Sequence, residues 1–299
     1  MTEDALPPTF VRHMIATAPP VLYHYTNQAG LIGIATADTE PGSAQIWATK
    51  IQYMNDATEF GLAISIAREC LREKIRGSTK DAASDRKRSI YSTAMESLDG
   101  IEHINIFASC FCEIGDLLSQ WRGYTGGSHG YSIGFNSSVL AASGNRTGFT
   151  LGRCIYDPVQ QRAVVDEAIE ICVQGLPPNN PLRALQHGNL APLLFRCGAF
   201  FKDASFGDEQ EWRMVSSPTG ITSAGVGFRM GRSMITPYYR LSINQLEQCA
   251  VSEIVVGPCP HMDLAHSAVS MLMLNRQFRD FDANIDRVIR KSRIPYRNW

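Results

Sequence analysis

Val21-Leu22-Tyr23-His24-Tyr25-Thr26-Asn27-Gln28-Ala29-Gly30-Leu31 is the stretch on which the fold turns. Its apolar and aromatic opening reads as a short strand, and Gln28 to Ala35 reads as a helix that follows at once. His24 therefore stands close to where a strand gives way to a helix. In that position the backbone can hold an imidazole rigidly at the rim of a cleft.

Working outward, Pro8 to Ala16 reads as a helix stopped by Pro19-Pro20, and Gln45 to Thr49 as a second strand. Asn55 or Asp56 is placed to cap a long helix by accepting backbone N–H bonds, with Glu59 in its first turn. The helical pattern continues to Leu98, interrupted at Gly77-Ser78-Thr79, and its mixed charges mark a solvated face. Strands follow at Ile104–Phe111, Gly130–Phe135 and Thr150–Tyr156. A second helical block spans Pro158–Gln174 and Pro181–Cys197, joined by Pro177-Pro178-Asn179-Asn180-Pro181. The chain then returns to strands at Glu211–Ser216, Gly225–Met230, Tyr238–Ser242 and Glu253–Val256. A helix at Met262–Phe278 and a basic tail with Arg287, Arg290, Arg293 and Arg297 complete it, the tail reading as a solvated face. The pattern predicts an α+β fold as one domain over 1–299, with a split or mostly antiparallel sheet core and helical insertions at about 56–98 and 158–197.

Composition excludes several classes. Hydrophobic residues make up 44% and charged residues 19% of the 299, as in ordinary globular chains rather than disordered ones. A net charge of -1 gives no bulk attraction to nucleic acid or an anionic membrane. No apolar run approaches the roughly 20 residues that span a bilayer. The acidic start Met1-Thr2-Glu3-Asp4-Ala5 lacks the features of a signal peptide, so a cytoplasmic location is expected. The eight cysteines contain no CxxC pair and read as buried thiols. His103, His129, His187, His261 and His266 lack ligand spacing, and no metal is expected. There is no P-loop and no Gly-x-Ser-x-Gly elbow.

The segments able to carry chemistry are, in order, Leu22-Tyr23-His24-Tyr25-Thr26, Trp47-Ala48-Thr49 with Met54 to Glu59, Ser119-Gln120-Trp121-Arg122-Gly123-Tyr124, His129-Gly130-Tyr131-Ser132-Ile133-Gly134-Phe135, and Phe206 to Arg213. With Ile254-Val255-Val256-Gly257-Pro258 and Ser292 to Arg297, they resemble an uncharacterised bacterial family, DUF2971, along nearly the whole chain. A histidine on the first strand, an aromatic or serine on a middle strand and a glutamate before a late strand also resemble, more distantly, ADP-ribosyltransferase-like folds. That likeness implies a nucleotide site that consumes NAD as a substrate.

The residues give this chemistry a physical basis. Breaking the nicotinamide–ribose bond develops positive charge on the ribose, which a nearby carboxylate stabilises. Glu211 is the candidate, and strand alternation would put Glu209 on its side to orient an acceptor. The plainer alternative is a solvated strand edge on which Glu211 pairs with Arg213. His24 is placed to donate a hydrogen bond to a ribose hydroxyl or pyrophosphate, and Tyr25 or Tyr23 to cover an aromatic ring. Tyr131 is the candidate for stacking on nicotinamide and Ser132 for fixing the strand ends, although alternation lets only one of these two face a cleft. Arg122 and Arg213 are the phosphate candidates, while Trp121 and Trp212 read as core. The expected activity is mono-ADP-ribosyl transfer to a protein or nucleic-acid acceptor, or NAD hydrolysis, in a toxin or defence setting. The alternatives are a nucleotide- or partner-binding module without turnover and, last, a metal-dependent nuclease.

Overall fold

A computed structural model describes residues 6–36, 42–54, 57–77, 82–99, 104–125, 129–174, 190–231, 233–244, 249–278 and 285–295. The expected cap at Asn55 or Asp56, the side chain of Glu59, the break at Ser78-Thr79, His103, His187 and the 177–181 loop lie outside the described residues. Chain order is α1 (Pro8–Met14), β1 (Val21–Asn27), α2 (Gln28–Thr36), β2 (Ala44–Lys50), a 3₁₀ turn (Ile51–Tyr53), α3 (Ala57–Arg76), α4 (Ala82–Glu96), β3 (Phe107–Cys112), α5 (Leu118–Tyr124), β4 (Gly130–Asn136) and α6 (Ser137–Thr147). It continues with β5 (Phe149–Arg153), α7 (Pro158–Gln174), α8 (Leu190–Gly198), a 3₁₀ segment (Ala204–Glu209), β6 (Glu211–Ser216), β7 (Val226–Met230), β8 (Ile235–Ile243), β9 (Val251–Val256), α9 (Met262–Asn275), α10 (Ile285–Val288) and β10 (Ile289–Lys291). The fold is α+β, as expected.

The sheet runs β10-β9-β4-β1-β3-β2-β8-β7, with β6 attached to β3 and β5 to β6. Its strand pairings are antiparallel except β10 on β9. What positions the site is the treatment of β3. One edge of β3 is taken by β6 from Ala108↔Val215 to Cys112↔Glu211. The opposite edge is shared: β2 pairs at Phe107 and Ala108, and β1 only at Cys112. Since β1 and β2 both run antiparallel to β3, they run parallel to each other and part between these contacts. Ser109, Cys110 and Phe111 therefore border a divide in the sheet.

Helices cover both faces. The two helical insertions supply most of one layer, in which α1, α3, α4, α7 and α8 pack on Ile106, Ala108, Ile155 and Val215 of the sheet side. In α7 the buried residues are Gln161, Val164, Val165, Ala168 and Ile169, the spacing that makes one apolar stripe on a helix. On the other face α2, α6 and α9 pack against Leu22, Phe111, Ile133, Phe135, Trp212 and Met214. Trp212 is core, as expected, and so is Trp121, which joins Tyr25, Cys112 and Val255 in a third small cluster.

Two elements depart from the sequence reading. Helix α6 follows β4 directly: the Asn136 side chain accepts from the Ser138 N–H, and Gly148, at φ 76°, ends the helix in the left-handed conformation. The basic tail is not simply a solvated face, because Ile289–Lys291 adds a parallel strand to β9. Among the described residues no helix is long and apolar enough to cross a membrane.

Candidate functional site

The divide between β1 and β2 opens into a cleft of about 610 Å³. Ser109, Cys110 and Phe111 line it from β3, and Tyr23 to Thr26 from β1. Trp47 and Thr49 line it from β2, Gln120 and Tyr124 from α5, and Arg229 from β7. Lys202, Phe206, Glu209, Glu211 and Arg213 complete it around the start of β6. His24 and Glu211 thus share one cavity, although strand alternation sends them to opposite faces of the sheet. Both line the cavity, His24 from β1 and Glu211 from the start of β6 across β3.

His24 lies opposite Ile133 in the β1–β4 register and packs its ring 5.8 Å from that of Phe111. Its Nδ1 bonds the Cys110 carbonyl oxygen at 2.9 Å, and since a carbonyl can only accept, Nδ1 carries the proton. Burial pushes the imidazole below its ordinary pKa, against the raising effect of that carbonyl, and the nearby Arg229 adds to the lowering. The ring is neutral at pH 7, and its Nε2 is an acceptor. The Nδ1 proton expected for donation to a ligand is taken by the Cys110 carbonyl.

Glu211 is 3% exposed, so the solvated strand edge is not what forms. Its Oε1 accepts from Arg213 Nε at 2.7 Å, and its Oε2 from Arg213 Nη2 at 3.2 Å and Lys202 Nζ at 2.6 Å. Lys202 also meets Glu209 Oε2 at 3.1 Å, and Arg213 Nη1 donates to the Ala199 carbonyl at 2.8 Å. Burial alone would raise the Glu211 carboxyl, but Arg213, Lys202 and a hydrogen bond from the Cys110 thiol hold it at about 2. The Cys110 thiol is in turn pushed well above its usual value by burial and by Glu211, so it remains a donor. Glu211 is a fixed negative charge at neutral pH.

Other expected site residues fall differently. Glu209 is not on the strand with Glu211: it ends a 3₁₀ segment, Gln210 turns the chain at φ 44°, and β6 starts only afterwards. Lys202 is what unites the two carboxylates. Arg213, expected at a phosphate, is engaged by Glu211 and by the Ala199 carbonyl. Arg122 is exposed on α5 and does not line the cleft. Tyr131 does not line this cleft and borders a separate cavity of about 390 Å³ with His129, Gly257, Cys259 and His261. Ser132 is fully buried between Tyr25 and Val255 in the register. Tyr25 borders the cleft, yet its hydroxyl is used internally, donating to the Ile114 carbonyl at 2.7 Å and accepting from the Leu117 N–H at 3.0 Å.

Sequence reasoning missed Lys202 and Arg229, and gave Tyr124, Trp47 and Thr49 no role. The signal for Lys202 was a charge closing the short apolar run Cys197 to Phe201. Trp47 is 38% exposed at the cleft while stacked on Tyr238 at 4.6 Å, a solvent-facing aromatic on an otherwise alternating strand. Among the described residues no three His, Cys, Asp or Glu side chains gather as metal ligands would.

Comparison with curated proteins and with solved structures finds no match. A family model described as a protein of unknown function (DUF2971) matches residues 120–214, from α5 into β6. That stretch contains the whole Lys202–Glu209–Glu211–Arg213 cluster. Over these residues the chain is similar to the DUF2971 family.

Proposed function

We propose that this cleft binds NAD and breaks its nicotinamide–ribose bond, as a mono-ADP-ribosyltransferase or an NAD glycohydrolase. The observation that carries this reading is the convergence of an ionised Glu211 and a neutral His24 on one cavity. As the C1′–N bond breaks, its electron pair leaves with nicotinamide, which becomes neutral, and positive charge develops on the ribose. A carboxylate already ionised and held in place stabilises that charge without reorganising. His24 Nε2 accepts a hydrogen bond from a ribose hydroxyl and orients the sugar. Glu209 receives the proton of the incoming nucleophile as the new bond to C1′ forms. Transfer to a protein or nucleic-acid acceptor, as in a toxin or defence enzyme, differs from hydrolysis only in that nucleophile.

One observation favours a second reading, a binding module without turnover: both Glu211 oxygens are already engaged by cations. Nicotinamide release from NAD separates the two. The full chain is expected to release nicotinamide, and Glu211→Gln to lose at least about 100-fold of that rate, the scale of removing one preorganised electrostatic contact. Glu211→Asp keeps the charge beside Lys202 and Arg213 while withdrawing the carboxylate, and is expected to lose rate with the fold intact. A folded wild-type chain that binds NAD without consuming it would select the binding module. One that neither binds nor consumes NAD, with or without cell extract, would sink the nucleotide reading.

A further inference from the structure

The cleft is electrically lopsided. At one end the cations of Lys202 and Arg213 are matched by the carboxylates of Glu209 and Glu211, so an anion arriving there meets two negative groups. At the other end stands Arg229 of β7, whose Nη2 donates to the Thr49 hydroxyl at 2.9 Å. Among the described residues the Arg229 guanidinium meets no carboxylate.

The neighbourhood of Arg229 is built for a flat, charged ligand. Strand β8 separates β7 from β2, so the Arg229 side chain reaches across a whole strand to Thr49. In the register Gly227 lies opposite Tyr238, and a Cβ there would come within 2.8 Å of the Tyr238 ring. Glycine thus leaves room for that ring on the surface of the sheet, where it backs the exposed Trp47. Arg229 is an exposed residue of β7, and His24 feels its charge across the cleft. A forked guanidinium of this kind is suited to bidentate contact with phosphate oxygens.

Given a nucleotide as the ligand of this cleft, the reading on which this assignment rests, we infer that Arg229 is its anion anchor and takes the diphosphate, with Thr49 orienting the guanidinium and Trp47 flanking it. The ligand then enters in one orientation. Its electron-poor nicotinamide end lies towards Glu211, and its diphosphate lies towards β7. The two phosphate candidates suggested by the sequence, Arg122 and Arg213, have no part in this subsite.

The test is calorimetric titration of the full chain with ADP-ribose, which carries the diphosphate but has no nicotinamide to lose. Arg229→Gln is expected to weaken binding at least about tenfold, the scale of one charge-assisted hydrogen-bonded contact. Arg229→Lys should recover part of that loss, because it restores charge without the fork. Thr49→Val keeps the arginine but removes its support, and is expected to weaken binding roughly threefold. Melting midpoints equal to wild type would show that these variants are folded. ADP-ribose affinity unchanged in Arg229→Gln, or a wild-type chain that binds no ADP-ribose, overturns the anchor. If ADP-ribose binds through Arg229 while NAD releases no nicotinamide, the anchor stands and the cleavage reading falls. If nicotinamide is released and depends on Glu211 but Arg229→Gln binds ADP-ribose normally, cleavage stands and the anchor falls.

Discussion

Lys202 is 3% exposed and holds two carboxylates, at 2.6 Å and 3.1 Å. Ion pairs taken so far out of water are costly to break from one side, because the surviving charges stay buried without compensation. Lys202→Met is therefore expected to lower stability by about 3–5 kcal/mol, read from urea unfolding midpoints. A midpoint equal to that of wild type would mean that Glu209 and Glu211 are served well enough without it. In the sequence this cluster is only partly visible. Glu211 and Arg213 are two apart on a strand and can be expected to pair, which they do. The link from Glu209 through Lys202 depends on the left-handed turn at Gln210, and simple alternation over Glu209-Gln210-Glu211 misplaces it.

At the scale of elements, β1 is held by the two tyrosines that flank His24. The Tyr23 hydroxyl donates to Glu253 of β9, and that carboxylate takes two bonds from Arg290 of β10, each at 2.8 Å. The Tyr25 hydroxyl is fixed by the segment leading into α5. Burial raises both phenols, with Glu253 adding to the effect at Tyr23, so they stay protonated and able to donate. The same segment is tied to the end of the described chain by Asp116, which accepts from Trp121 Nε1 at 2.8 Å, Ser292 Oγ at 2.6 Å and the Arg293 N–H at 2.8 Å. Asp116→Ala leaves these donors without their partner and is expected to cost about 1–3 kcal/mol. Hydrogen exchange should then speed up across residues 289–294 before it does in α7. Uniform change across both, or none, would argue that Asp116 is not the tie. Strand β10 escaped the sequence reading because three residues rich in charge carry no alternation of their own, and β9 supplies its partner.

For the whole molecule the buried carboxylate sets an acid limit. Glu211 is held at about 2 in the folded chain, whereas an unfolded glutamate titrates near about 4.3. A depressed folded value means that the cluster stabilises the protein fully above the unfolded value and loses that contribution as pH falls from about 4.3 towards about 2. Thermal midpoints measured down this window should fall for wild type. The gap between wild type and Glu211→Gln should narrow as the pH drops. A gap that stays constant across the window would show that Glu211 is not held low.

Local pattern was enough for the elements whose own residues bury one side. The α7 stripe, the strand at β1 with His24 near its end, and β6 beginning at Glu211 follow from periodicity and from Gly, Pro and Asn punctuation. It was also enough to name Glu211 and His24 as residues of interest. Helix α6 was hidden because Val139 and Leu140 are its only large apolar residues, too few to show a helical period, although Asn136 and Gly148 marked its ends. What the tertiary structure alone decided is how these pieces meet. The sharing of one β3 edge by β1 and β2 opens the cleft, the Gln210 turn brings Lys202 between two glutamates, and strand order carries Arg229 to Thr49 while taking Tyr131 to another cavity. Backbone preference and burial period act over a few residues. Ion pairs and clefts depend on register and strand order, which bring together residues as far apart as Thr49 and Arg229.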